Sequence, residues 1–304
     1  MARVLVTGGA GFIGSHLVEA LAAKNDVTVL DNLFTGKLSN LAAVKNQVTF
    51  VKGEITDANL LKKVVAKQDC IFHLAAIASV PYSIQHPLEV HEINATATLK
   101  LLVAARDAHV KRVVFASSAA VYGDEPSLPK KESSPLKPQT PYALTKLTSE
   151  QYTLMFHQLY GMETVALRYF NVYGPRQDPT SPYSGVITKF ATALKSGKQP
   201  TIYGDGMQTR DFVFVSDVVQ ANLKAMTTSA VGKVFNIATG VQVSIKEMLA
   251  HLNEVLKTKI SAKHELRQPG DILHSVADIS EAKKALHYHP EVPFHEGIEQ
   301  TVEA

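Results

Sequence analysis

Apolar residues in the first half of the chain form short unbroken runs separated by stretches with helical spacing. The runs are Val4-Leu5-Val6, Val27-Thr28-Val29-Leu30, Val48-Thr49-Phe50-Val51, Cys70-Ile71-Phe72-His73-Leu74 and Val113-Val114-Phe115-Ala116. Most are rich in β-branched residues and lack polar alternation, as strands buried on both faces are. Between them, Phe12 to Lys24 places Ile13, Leu17 and Leu21 on one helical face. Asp57 to Lys67 reads as a second helix and Leu88 to Ala108 as a long third. This alternation predicts an α/β fold, a parallel sheet with helices on both faces.

The pattern then changes. Asp124 to Thr140 is rich in Pro, Ser and Lys and predicts a surface loop, with Lys130-Lys131-Glu132 as solvated charges. Thr140-Pro141 opens a helix that runs to about Tyr160, because Thr caps a helix and Pro is tolerated at its first position. A strand follows over Thr164–Arg168. Beyond it turns are frequent, at Gly174-Pro175, Ser181-Pro182 and Gly204-Asp205-Gly206. Ser244 begins a further helix, with Glu247 completing a capping box and Ile245, Met248, Leu249 and Leu252 on its apolar face.

The 304 residues allow one large α/β domain or two that share an interface. Hydrophobic residues are 45% and charged residues 19%, a globular rather than a disordered composition. A net charge of +3 arises from near balance, not from a basic block, so no nucleic-acid partner is expected. No apolar run approaches the ~20 residues of a membrane helix. Met1-Ala-Arg-Val-Leu-Val enters a strand directly and leaves no room for a signal peptide, so a soluble cytoplasmic protein is expected. The single cysteine, Cys70, excludes an internal disulfide and a cysteine-based zinc site, and reads as a core thiol. His73, among apolar residues, reads as a packed histidine. His287, His289 and His295 are irregularly spaced, with no carboxylate or cysteine framework, and no metal site is expected.

Chemistry enters at Thr7-Gly8-Gly9-Ala10-Gly11-Phe12-Ile13-Gly14, between the first strand and the first helix. Glycines there permit a tight turn, admit a pyrophosphate to the backbone, and let helix pack on strand. The helix N-terminus offers N–H groups and partial positive charge to phosphate. Asp31 ends the second strand; a carboxylate there accepts from ribose hydroxyls and repels a 2′-phosphate, which predicts NAD rather than NADP.

Tyr142 and Lys146 lie four apart at the start of the Thr140 helix and so share a face. A free phenol titrates near ~10; an adjacent ammonium and a positive nicotinamide are expected to lower that value. Ser117 and Ser118 sit at the carboxyl end of a strand, the edge where open α/β sheets bind ligands. A hydroxyl there can share a proton with the tyrosine and orient a substrate.

With these pieces the chain resembles the extended short-chain dehydrogenase/reductases, and within them the UDP-hexose 4-epimerases. The likeness spans essentially the whole chain. It rests on the glycine loop, Asp31-Asn32-Leu33, His73-Leu74-Ala75-Ala76, Asn94, Ser117 to Gly123, Pro141 to Lys146, Arg168 to Arg176, Arg210 to Val213, and Pro269-Gly270-Asp271. The resemblance implies a Rossmann-like doubly wound parallel sheet over residues 1–168, with part of about 211–238 returning to it. A smaller α/β lobe for the nucleotide sugar is implied over 169–210 and 239–304. It further implies that Gly8, Gly11, Phe12, Ile13 and Gly14 hold the pyrophosphate and that Asp31 and Asn32 hold the adenosine. Glu54 and Ile55 would flank the adenine. Leu74, Ala75, Ala76, Ser117 and Tyr169 would line the cofactor, and Asn94 would prop the site. Lys146 would bond the nicotinamide ribose, Tyr142 would be the base, and Ser118 would share the sugar O4 proton. The UDP-sugar would meet Ser79, Asn171, Val186, Thr201, Tyr203, Arg210, Arg267, Asp271 and Ser275. Relatives often carry Arg directly before Pro-Gly-Asp; here Gln268 stands there and Arg267 one place earlier.

The same scaffold hosts 4-epimerases, including those of UDP-glucuronate, as well as dehydratases, decarboxylases and reductases. Related dehydratases place Asp-Glu just after the strand-end hydroxyl, and decarboxylases a Glu. Here the residues are Ala119 and Ala120, which do no proton chemistry. The expected reaction is C4 epimerisation of UDP-hexoses on tightly held NAD. A sensor or structural subunit that binds NAD without turnover is the non-enzyme alternative; such a protein would be expected to lose Tyr142, Lys146 or Ser118. The resemblance also implies a homodimer built on the Leu88 and Thr140 helices, with Leu99, Leu102, Val103, Leu154, Met155 and Phe156 in excess of one buried face. It places Ser275, opposite Ala78, Ser79 and Val80, beside the sugar C2 substituent.

Overall fold

The computed structural model describes residues 1–178, 185–267 and 272–303. Strand β1 (Arg3–Thr7) passes through the glycine turn into α1 (Phe12–Ala22), and β2 (Asp26–Asp31) and β3 (Val48–Lys52) follow. Next come α2 (Ala58–Val65) and β4 (Cys70–His73), then the short α3 (Val80–Gln85) and α4 (Pro87–His91). A π-helical turn over Glu92–Thr96 joins α4 to α5 (Ala97–Asp107). Strand β5 (Arg112–Ser118), α6 (Pro141–Tyr160) and β6 (Glu163–Tyr169) complete this half.

The remaining elements are β7 (Asn171–Tyr173), α7 (Val186–Lys195), β8 (Thr201–Tyr203), β9 (Thr209–Arg210) and β10 (Phe212–Phe214). They continue with α8 (Val215–Thr227), β11 (Lys233–Ile237), β12 (Val243–Ser244) and α9 (Ile245–Val255). The last are β13 (Lys263–Glu265), α10 (Ser280–Leu286) and α11 (Phe294–Glu303).

Seven strands form one parallel sheet in the order β11-β6-β5-β4-β1-β2-β3. The order reverses between β1 and β4, so the connections leave these two strands in opposite directions and open a crevice at their carboxyl ends. One face of the sheet packs Val4, Val6, Val29 and Phe72 against Leu17, Leu21 of α1 and Val218 of α8. The other packs Leu5, Ile71 and Val113 against α2, α5 and Phe156 of α6. A third apolar cluster gathers α7, α9 and α11 around Phe212, Phe214 and Tyr173, beside the two-stranded pairs β10-β7, β12-β9 and β13-β8.

Local signals explain the elements that carry the site. Thr140 caps α6 by accepting from the Ala143 N–H at 3.2 Å, and Gly161 ends it in the left-handed region at φ 67°. The capping box of Ser244 and Glu247 is present at α9.

Three expectations change. The helix expected over Leu88–Ala108 is α4, a π turn and α5. The wide turn turns the Asn94 amide onto Ile77, accepting from its N–H at 2.8 Å and donating to its carbonyl at 3.0 Å. Lys130 and Glu132 are not freely solvated. Lys130 is 3% exposed, its ammonium bonds the Glu125 carbonyl, and its backbone pairs with Ala277; Glu132 accepts from the Asn236 N–H at 2.8 Å. The loop is drawn inward because it packs on β11 and on residues 276–278. Finally, Leu102 and Phe156 are buried within the chain rather than left over for a partner. The Ser181-Pro182 turn lies outside the described residues.

Candidate active site

The crevice between β1 and β4 is a cavity of about 640 Å³. Gly8 and Gly14 shape its floor. At Gly8 φ is +72°, and a Cβ would stand 2.8 Å from the Ala75 nitrogen; at Gly14 it would overlap the Gly8 carbonyl oxygen. Any side chain at either position therefore fills the turn. No side chain caps α1 at Gly11, and Gly11, Phe12 and Ile13 line the cavity. Asp31, nearly buried, accepts from the Ala10 N–H at 2.9 Å and the Leu33 N–H at 2.8 Å. Each carboxylate oxygen retains a second lone pair for a ribose hydroxyl. The Asn32 amide donates to Glu54 at 3.0 Å, and Glu54, Ile55, Leu74, Ala75 and Ala76 continue the walls. A glycine cradle, an uncapped helix start and an acceptor carboxylate fit NAD.

At the other end stand Ser117, Ser118, Tyr142, Lys146, Tyr169 and Asn171. Tyr142 and Ser118 line this end together, and the Ser118 hydroxyl accepts from the Ala120 N–H at 3.2 Å. Lys146 donates to the Ala116 carbonyl at 2.7 Å, with its nitrogen 5.1 Å above the Phe115 ring. Burial pushes this ammonium down to about 8. Tyr142 is half-buried and lines the cavity. Burial raises its phenol above the ordinary value, and the Ser118 hydroxyl pulls the other way. The lowered phenol expected from the sequence is thus not what the polypeptide alone produces, because burial outweighs the opposing pull of Ser118.

Asn94 does not line the cavity. It stands behind, tied to Ile77 and donating to Thr145 of α6 at 3.3 Å. His73 is buried in the same layer. Thr98 donates to the Asn94 carbonyl at 2.5 Å, so it accepts from His73 Nε2–H, and Thr7 donates to Nδ1, each at 2.8 Å. Burial, then the Lys146 charge, pushes this imidazole down to about 3, so it is neutral and joins β1 to α5. Cys70 is a buried thiol, pushed by burial up to about 12. Among the described residues no three His, Cys, Asp or Glu side chains gather as a metal site, and His287, His289 and His295 are exposed.

Of the described residues expected at the UDP-sugar, Asn171 lines the cavity, whereas Ser79, Val186, Thr201, Tyr203, Arg210, Arg267 and Ser275 are not part of its wall. Ser79 caps α3 by accepting from the Tyr82 N–H at 3.1 Å. Val186 begins α7, Thr201 and Tyr203 lie in β8, and Arg267 follows β13 on the surface. Arg210 of β9 donates to the carbonyls of Thr209 at 2.9 Å and Leu273 at 3.5 Å. Ser275 is nearly buried, and its N–H donates to Thr209 at 3.2 Å, so it runs beside the strand that carries Arg210. Asp271 lies outside the described residues, as do Gln268, Pro269 and Gly270.

The structure adds cavity residues that the sequence reading did not assign. Phe34 and Thr35 follow Asp31, and Arg176, Gln177 and Asp178 follow β7. Arg176 donates to both Glu19 oxygens of α1 at 2.8 Å, and Lys37 pairs with Asp178 at 3.0 Å. Segment 176–178 is thereby fastened to both the pyrophosphate helix and the loop beyond Asp31. The partners are too far apart in sequence for spacing to reveal them.

Comparison with known proteins gives the same picture. A family model described as "NAD dependent epimerase/dehydratase family" matches residues 4–238. The UDP-glucose 4-epimerase of Mycolicibacterium smegmatis is 40% identical over 306 residues, covering 99% of this chain and 97% of that protein. The crystal structure of Thermus thermophilus UDP-glucose 4-epimerase in complex with NAD is 38% identical with a TM-score of 0.91, covering 99% and 98% of the two chains. A UDP-N-acetylglucosamine 4-epimerase from Methanobrevibacter ruminantium, in complex with UDP-N-acetylmuramic acid, is 44% identical with a TM-score of 0.96, covering 99% and 97%.

Proposed function

The chain belongs to the NAD dependent epimerase/dehydratase family, and from that premise we propose that it inverts C4 of UDP-hexoses, both UDP-Glc/UDP-Gal and UDP-GlcNAc/UDP-GalNAc. The observation that carries this reading is that Tyr142, Lys146 and Ser118 line one end of the cavity, with Ser118 on a turn whose next residues are Ala119 and Ala120. Elimination or decarboxylation asks for an acid or base beside the reacting carbon. The described carboxylates on the cavity wall are engaged elsewhere: Asp31 by Ala10 and Leu33, Glu54 by Asn32, Glu89 by Tyr82, and Asp178 by Lys37. With no further proton chemistry at hand, the site oxidises C4 and reverses that step.

Bound NAD supplies a reversible hydride acceptor for the sugar. Tyr142 takes the O4 proton and returns it, Ser118 orients O4, and Lys146 places a positive charge below the site. In this reading the large sheet holds the cofactor over 1–168 and 211–238, and the lobe over 169–210 and 239–304 holds the UDP-sugar. Asn171 and Arg210 take the diphosphate. For C4 to invert, the site would have to leave room for the oxidised sugar to present its other face.

The deciding assay is equilibrium epimerisation of UDP-Glc, UDP-Gal, UDP-GlcNAc, UDP-GalNAc and UDP-GlcA side by side, with no added nicotinamide. Because no net redox occurs, and because segment 176–178 is clasped over the crevice, the protein is expected to purify with NAD and need none added. A strict requirement for stoichiometric NAD(P)H with net reduction of the sugar would indicate a reductase instead.

We also propose a homodimer through α4 and α6. Leu144, Met155 and Leu159 fall on one stripe of α6, and Leu159 is 64% and Leu88 of α4 87% exposed. Such a stripe is an unburied helix face that a two-fold partner would cover. Light scattering at micromolar concentration should give twice the chain mass, and a monomer mass contradicts the proposal. No helix among the described residues is long and apolar enough to cross a membrane.

A further inference from the structure

Tyr142, Lys146 and Glu150 stand at four-residue spacing on α6, so they share one face. All three meet the end of β5. Tyr142 shares the cavity wall with Ser118, Lys146 donates to the Ala116 carbonyl at 2.7 Å, and Ser117 donates to Glu150 at 2.6 Å. The first two belong to the reacting groups. Glu150 does not: it is wholly buried and absent from the cavity wall.

Glu150 is itself held by Arg168 of β6. The guanidinium Nε and Nη2 donate to the two carboxylate oxygens at 2.9 and 2.6 Å, a bidentate pair. Arg168 Nη1 donates to the Tyr122 hydroxyl at 2.8 Å, which donates to Asn236 at 2.6 Å. The chain of bonds is closed from β11 through β6 to β5, and such networks fix geometry. A buried ion pair gains little net stability over well-packed apolar groups, because desolvation offsets the attraction. Its fixed position is therefore the property to explain. Alternation along β5 turns Phe115 and Ser117 toward α6, so Ser117 is the side chain through which the pair can grip the strand.

We infer that Glu150 is a positioning residue: acting through Ser117, the Glu150–Arg168 pair fixes residues 116–118 so that Ala116 holds Lys146 and Ser118 stays with Tyr142 at the cavity. The inference rests on the epimerase reading above. A drift of the strand end displaces Ala116 and Ser118 at once, and a misplacement near 1 Å costs up to about 100-fold in rate.

Ser117→Ala cuts the link while leaving the ion pair and the fold in place. It is expected to lower kcat roughly 10- to 100-fold with KM for UDP-Glc within about twofold. In the NAD-loaded protein, the pH at which the Tyr142 phenolate appears, read as ultraviolet difference against Tyr142→Phe, is expected to rise. Glu150→Gln should lower kcat likewise, and Ser117→Ala/Glu150→Gln should be no slower than the slower single variant, because both cut one link. A lowered Tm in Ser117→Ala with unchanged kcat and phenolate titration overturns the inference, and so do losses that multiply in the double variant. If Glu150→Gln does not fold, Ser117→Ala decides by kcat and titration. A wild-type protein that epimerises no UDP-sugar overturns the functional reading instead, and the titration of Ser117→Ala still decides the positioning role.

Discussion

Tyr142→Phe is expected to abolish epimerisation while the protein still folds and retains NAD. The substitution removes one oxygen from a residue whose ring packs at the start of α6, and the Thr140 cap, Pro141 and the Lys146 bond to Ala116 are untouched. What goes is the hydroxyl that Tyr142 brings to the cavity, the group proposed to take the O4 proton. General-base loss costs roughly 100- to 10,000-fold. The loss should fall in kcat with KM little changed, since the oxygen matters most as the proton moves. Single-turnover and steady-state assays on UDP-Glc, with bound NAD measured after denaturation, check it. Near wild-type turnover would remove Tyr142 from the mechanism.

Ser275→Tyr is expected to separate the two sugar classes. Ser275 is 9% exposed and lies on backbone bonded to Thr209, next to the Arg210 assigned to the diphosphate. In the proposed assignment Ser275 stands beside the sugar C2 substituent, so a ring added there would enter that space. The proposed pocket wall there holds a hydroxyl at C2 but not an acetamido group once the ring is present. Overpacking of this kind costs about 1–3 kcal/mol, or roughly 5- to 150-fold in kcat/KM for UDP-GlcNAc and UDP-GalNAc. UDP-Glc and UDP-Gal should be little affected. Equal losses on both classes, or no turnover of UDP-GlcNAc by the wild type, would sink this assignment.

Much of the sheet was legible because its signals are local. The runs at Val4, Val27, Cys70 and Val113 are apolar because they become inner strands covered on both faces, whereas the Val48 run becomes the edge strand β3, which stays partly exposed and was legible from its β-branched content. The glycine loop was legible for a related reason: Gly8 and Gly14 are needed where backbone meets backbone, a demand each position states by itself. The later elements were less so. Helix α8 carries Val215, Val218, Val219 and Asn222 at helical spacing, but it follows the two-residue β9 and three-residue β10, among turns that hid its start.

By itself, the sequence determined the α/β alternation, the dinucleotide loop with Asp31, and the Tyr142–Lys146 helix face, because each is set by neighbours within a turn or a strand. Only the tertiary structure decided how those groups are held. The Lys146 ammonium is directed to Ala116 on another element, and burial in the folded chain raises the Tyr142 phenol against the opposing pull of Ser118. Lys130, a charge in a loop rich in Pro and Ser, is buried because Ala277 pairs with it from the far end of the chain. Glu150 reads as one more polar position on α6 until Arg168 and Ser117 arrive from two neighbouring strands. Spacing along one helix says which residues share a face; what that face meets is fixed by strand order, and strand order is a property of the folded sheet.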